Sequence, residues 1–131
     1  MRALRSFLSF GVVGVIGFFV DATVLYLSMV YLGPFYGRCA SLVCSITTTW
    51  LINRNITFTD SRRPYTKWVE GAVYMAIMLV GASINFLIYA GLVLSNELAQ
   101  SYPIIGIAVG SSIALVWNFS LTRAVLYQRP D

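Results

Sequence analysis

Two arginines near the ends of apolar runs are the first residues whose surroundings point to chemistry. "TWLINRNITF" (49–58) sets Arg54 between Asn53 and Asn55, and "NFSLTRAVLY" (118–127) sets Arg123 directly after Thr122. Laid over one another at an offset of 69, Arg54 meets Arg123, Trp50 meets Phe119, Ile56 meets Val125 and Phe58 meets Tyr127. Asn118 falls on Thr49, and Thr122 on Asn53. Each copy thus carries two small polar groups four residues apart, which share one face of a helix. A guanidinium is a planar fork that grips a phosphate through two parallel hydrogen bonds, and amide donors beside it add to the grip. The plainer reading is anchoring: an arginine keeps its apolar stem in lipid while its head reaches the interface, and a cation suits a helix C-terminus. Residue types and spacing leave both readings open.

Asp21 is the second candidate. A carboxylate at the bilayer centre costs about 2.5–3.5 kcal/mol on insertion scales, and such residues commonly mark function. Its face of the first helix also carries Gly14, Gly17 and Ser28, small residues that let another helix approach. At an offset of 64, "GFFVDATVLY" (17–26) lies over "GASINFLIYA" (81–90), with Gly17 on Gly81 and Asp21 on Asn85. The structural alternative for Asp21 is a hydrogen bond to Asn85 or to a hydroxyl of Thr47–Thr49. Glu70 is expected to pair with Lys67 or Arg63, and "GIAVG" (106–110) is a weak signal for close helix packing.

Whole classes of chemistry are excluded. The 131 residues include no His, so imidazole catalysis and histidine metal sites are out. The two cysteines, Cys39 and Cys44, fall on different faces of one helix and suit neither a mutual disulfide nor a zinc site. No phosphate-binding glycine loop is present. No enzymatic reaction, cofactor, metal or nucleic-acid partner is expected.

The elements that must position these residues are apolar helices. The chain is 58% hydrophobic and 11% charged, against about 25% charged in soluble domains. Four apolar runs, about 7–32, 37–57, 69–95 and 102–126, each reach the roughly 20 residues of a spanning helix. The first is too long for a signal-peptide core and is read as a retained helix. "GPFYG" (33–37), the basic "TDSRRPYTK" (59–67) and "SNELAQSYP" (95–103) are the connections, with Pro103 suited to a first helical turn. Of nine basic residues, Arg2, Arg5, Arg54, Arg62, Arg63, Lys67, Arg123 and Arg129 fall on one side and Arg38 alone on the other. The positive-inside rule then puts both termini and the middle connection in the cytoplasm.

The expected fold is an all-α membrane protein: one domain over 1–131, with four transmembrane helices forming two tandem hairpins. Repeat one covers about 5–58, the linker about 59–68 and repeat two about 69–127. The copies point the same way, a parallel internal repeat whose axis follows the membrane normal.

Four helices in about 130 residues, "INRNITF" closing the second, "WNFSLTRAVLY" closing the fourth, and Gly14 seven residues before Asp21 resemble the GtrA-like family over nearly the whole chain. The chain departs from it at Ser9, where many members carry an arginine, with Arg5 one turn earlier, and at Thr49–Trp50, where Asn–Phe is usual. The resemblance implies translocation of a polyprenyl-phosphate-linked monosaccharide across the bacterial cytoplasmic membrane for cell-surface polysaccharide synthesis. On that reading Arg54 and Arg123 take the phosphate, Asn53 and Asn118 support it, and Asp21 and Asn85 bind sugar hydroxyls. Partners are the sugar lipid, membrane lipids, a glycosyltransferase and a second copy of the chain, since four helices are few for a path that admits a sugar. Two other functions fit less well: a membrane scaffold for a glycosyltransferase docked on the basic linker, and a small cation or drug transporter using Asp21, which the two internal arginines disfavour.

Overall fold

The structure is a computed structural model that describes residues 2–102 and 104–128. Pro103 and Arg129, named above for a first helical turn and for charge bias, lie outside the described residues. α1 (Arg2–Ile52) is a long helical stretch broken at Gly33. There the backbone takes φ 76°, ψ 173°, a conformation essentially restricted to glycine. The break folds α1 into two antiparallel arms. Ser28 donates to the Gly37 carbonyl (3.2 Å), Ser45 to the Gly17 carbonyl (2.7 Å), and Ser9 shares a hydrogen bond with Thr57 (2.9 Å). The second arm passes into a π-helical turn, Asn53–Thr57.

A connection follows that holds one antiparallel pair of backbone hydrogen bonds, between Arg62 and Gln128. α2 (Lys67–Ser95) then runs to a short capped helix, α3 (Glu97–Ser101), whose first amides, those of Leu98 and Ala99, donate to the Asn96 side chain. α4 (Ile104–Leu121) returns against α2 and ends in a second π-helical turn, Thr122–Leu126. The two π turns begin 69 residues apart, at Asn53 and Thr122.

Glycines fix the helix approach in both hairpins. A Cβ on Gly17 would sit 2.4 Å from Thr49 Cγ2, and one on Gly81 would sit 2.0 Å from Asn118 Oδ1. The "GIAVG" face packs on α2 in the same way, Gly106 against Tyr89 and Gly110 against Asn85. A cluster of Phe10, Trp50, Phe58, Tyr74, Ile77, Phe119, Leu126 and Tyr127 closes the end that holds both π turns. Phe58 and Tyr127, the residues that follow those turns, stack with centroids 4.5 Å apart.

Among the described residues every regular element is a helix, and the Arg62–Gln128 bridge lies outside the helices. Among the described residues three helices are long and apolar enough to cross a membrane: Ala3–Gly33, Lys67–Ser95 and Ile105–Leu126. The second arm of α1 is helical over the expected second span, but Ser45, Thr47, Thr48 and Thr49 reduce its apolar character. Phe18, Phe19, Val30, Leu87 and Trp68 lie exposed around the molecule, which is the surface a lipid-facing helix presents and a water-facing one avoids. Both cysteines are free.

Candidate functional site

Glu70 organises the end that holds the π turns. It sits in the first turn of α2, 1% exposed, with its side chain among the other elements. Its Oε1 accepts from Trp50 Nε1 (3.0 Å) and from the Tyr127 hydroxyl (2.6 Å). Its Oε2 is ion-paired with Arg54 Nη1. A buried carboxylate needs this degree of pairing, since an unpartnered one would be very costly. Burial and the hydrogen bond to Glu70 push the Tyr127 phenol well above its ordinary range, so it stays a donor. Arg63 Nη2 donates to the Arg54 backbone carbonyl (2.6 Å). The expected partners of Glu70, Lys67 and Arg63, are therefore replaced by Arg54, because Glu70 points into the bundle rather than along the interface.

Between the helices lies a cavity of about 440 Å3, within the range of small-molecule sites. Phe10, Gly11, Gly14, Phe18, Met78 and Leu115 give it apolar walls, and Thr49, Asn53, Tyr74, Asn85, Ser111 and Asn118 give it polar ones. Asn53 is partnered at both its nitrogen and its oxygen: it donates to the Tyr74 hydroxyl (2.9 Å) and accepts from Thr57 (2.8 Å). Asn85 donates to Ser111 (3.3 Å). Asn118 differs, because its Oδ1 is buried and has no hydrogen-bond partner. An orphaned amide oxygen costs about 1–3 kcal/mol; this one packs against Gly81, and a turn of the amide toward the cavity would let a ligand hydroxyl satisfy it.

The structure separates the six sequence-derived site residues into two groups. Asn53, Asn85 and Asn118 meet around the cavity. Arg54, Arg123 and Asp21 do not line it. Arg54 is held by Glu70. Arg123 lies over the Phe119 ring at 5.9 Å and borders a shallow cleft with Ser120, Ala124 and Gln128. Asp21 binds neither Asn85 nor the Thr47–Thr49 hydroxyls. Both of its oxygens accept from Arg38 Nη1, at 2.8 and 2.6 Å. Ser9, where many family members carry an arginine, links the first arm of α1 to Thr57 in the π turn.

Sequence reasoning placed Glu70 at the interface rather than in this region, and it did not single out Tyr74. A signal for Glu70 was present: a carboxylate flanked by apolar residues in "WVEGAV" (68–73) calls for a cation inside the bundle. Tyr74 had none, since an aromatic residue in an apolar helix is ordinarily packing.

The GtrA/DPMS transmembrane domain family matches residues 9–127. A comparison with curated proteins found no match. The match takes in the Gly14–Asp21 pattern, both π turns, the cavity and the Glu70 cluster, all carried on long apolar helices. The chain is a multi-pass membrane protein that belongs to the GtrA/DPMS transmembrane domain family.

Proposed function

We propose that this protein moves a polyprenyl-phosphate-linked monosaccharide across the bacterial cytoplasmic membrane, with the sugar head in the cavity between α1, α2 and α4. Membership of the GtrA/DPMS family supports a glycosyl-lipid function. The observation that carries the finer reading is the cavity's chemistry. Three amides and a phenol gather inside otherwise apolar spans, and the Asn118 oxygen lacks a donor. A sugar brings hydroxyl donors and acceptors at close spacing, while its polyprenyl tail remains in lipid. The phosphate is then left at the end of the bundle where Arg54 and Arg123 reside, and Arg123, bound to no carboxylate, is the readier of the two to receive it.

The same reading treats the molecule as two hairpin copies with four crossings and cytoplasmic termini, working as a dimer. Three matched contacts support the copies. Gly17 meets Thr49 as Gly81 meets Asn118. The π turns start at the aligned Asn53 and Thr122. The aligned Phe58 and Tyr127 stack on one another. A cation path is disfavoured, since Arg38 already neutralises Asp21.

Binding of a short-chain polyprenyl-phosphate glucose, compared with the same polyprenyl phosphate lacking the sugar, tests the site. Asn118→Leu should remove the affinity that the sugar adds, about tenfold, and leave binding of the bare phosphate unchanged. Equal loss for both lipids, or no loss for either, would count against a sugar at Asn118.

A further inference from the structure

Arg38 lies only five residues past Gly33, about 7.5 Å along its arm at 1.5 Å per residue. Asp21 lies 12 residues before Gly33, about 18 Å down the other arm. An arginine so near a helix end ordinarily extends toward the interface. Here it bends inward, toward the depth of Asp21. The pair is not needed to clip the two arms together, because Ser28–Gly37, Ser45–Gly17 and Ser9–Thr57 already join them along their length.

Only Nη1 of Arg38 engages Asp21. Nη2 and Nε remain, and together they form one edge of the guanidinium fork, the edge that takes two phosphate oxygens. The exposures are unequal: the Arg38 side chain is 48% exposed and that of Asp21 20%. An incoming anion therefore reaches the cation more readily than the carboxylate. At the other end of the bundle Arg54 is arranged alike, with one nitrogen, Nη1, on the Glu70 carboxylate.

We propose that Arg38 is a second phosphate station, at the Gly33 end of the bundle, with Asp21 as its resident counter-ion. The proposal rests on the lipid-linked sugar reading above. Its ligand is the phosphodiester head of that lipid, received as the head leaves the Arg54 and Arg123 end. Two stations shorten the stretch of the roughly 30 Å hydrocarbon layer over which the phosphate travels uncompensated. Asp21 keeps the empty station neutral. It also weakens the hold on a bound anion, so that the head is released rather than trapped.

The test uses the whole protein in vesicles that contain a polyprenyl-phosphate glucose, with transfer between leaflets and the melting temperature both measured. Asp21→Asn should lower the lipid fraction needed for half-maximal transfer by about tenfold, because the competing anion is gone. Arg38→Gln should reduce transfer by about tenfold or more. The double variant Asp21→Asn/Arg38→Gln carries no lone charge. It should melt within a few degrees of the wild type and yet stay as inactive as Arg38→Gln. Wild-type transfer by the double variant, or a melting temperature far below the wild type's, would make the pair a structural clip and overturn the station while leaving the sugar cavity standing. Failure of the wild-type protein to transfer the lipid at all would overturn both.

Discussion

Arg54 and Arg123 have matched sequence surroundings and unlike partners. Arg54 belongs to a buried ion pair whose carboxylate is 1% exposed, whereas Arg123 rests on an aromatic face. Removing one member of a buried pair leaves an uncompensated charge and costs about 3–5 kcal/mol. Arg54→Gln should therefore lower unfolding stability in detergent by about that amount, and Arg54→Gln/Glu70→Gln should recover most of it. Equal stability of the single variant and the wild type would mean that Glu70 does not depend on Arg54. Arg123→Gln should leave stability within about 0.5 kcal/mol. At this scale the sequence marked the polar side chains inside apolar helices better than it revealed whom they touch. Asn53, Asn85 and Asn118 stand out as polar groups in apolar helices, and they do converge. The partners of Asp21 and Glu70 were not legible, because each pairs with an arginine on another arm, and which arms face one another is set by packing rather than by spacing.

Helix contacts depend on glycine at a few positions, and the paired π turns set where the polar residues point. Gly81 admits Asn118 so closely that a Cβ would overlap its amide oxygen, at 2.0 Å. Gly81→Ala should destabilise the α2–α4 hairpin by about 1–3 kcal/mol, the usual range for overpacking. It should also displace Asn118, so sugar-dependent binding should fall with it. Chemical unfolding followed by binding of the sugar lipid checks both. Gly91→Ala, which meets nothing within 4 Å, is the control that should leave sugar binding unchanged and should not lower stability. The hairpins, the "GPFYG" turn and the glycine-marked faces were legible from periodicity and helix breakers. The π turns were not, since a hydrogen bond that reaches one residue further leaves no mark in hydrophobic periodicity. They carry Arg54 and Arg123 in both cases.

For the molecule as a whole, charge and apolar length set the arrangement in the membrane. The net charge is +4, and eight of nine basic residues fall at the termini or near the middle connection. If the second arm of α1 crosses the bilayer, its two ends face opposite sides. In a protein with Cys39 and Cys44 replaced by Ser, Tyr36→Cys and Thr59→Cys should react with an impermeant maleimide from opposite faces of the membrane. Labelling of both from one face would mean three crossings rather than four. The central claim is transport itself. The most direct measurement is the rate at which a polyprenyl-phosphate glucose in sealed vesicles becomes accessible to an impermeant oxidant, with wild-type protein, with Asn118→Leu and with empty vesicles. The account predicts fast exchange for the wild type and, from the loss of one buried hydrogen bond, a rate about tenfold lower for Asn118→Leu. Wild-type exchange no faster than in empty vesicles, or equal rates for wild type and Asn118→Leu, would contradict it.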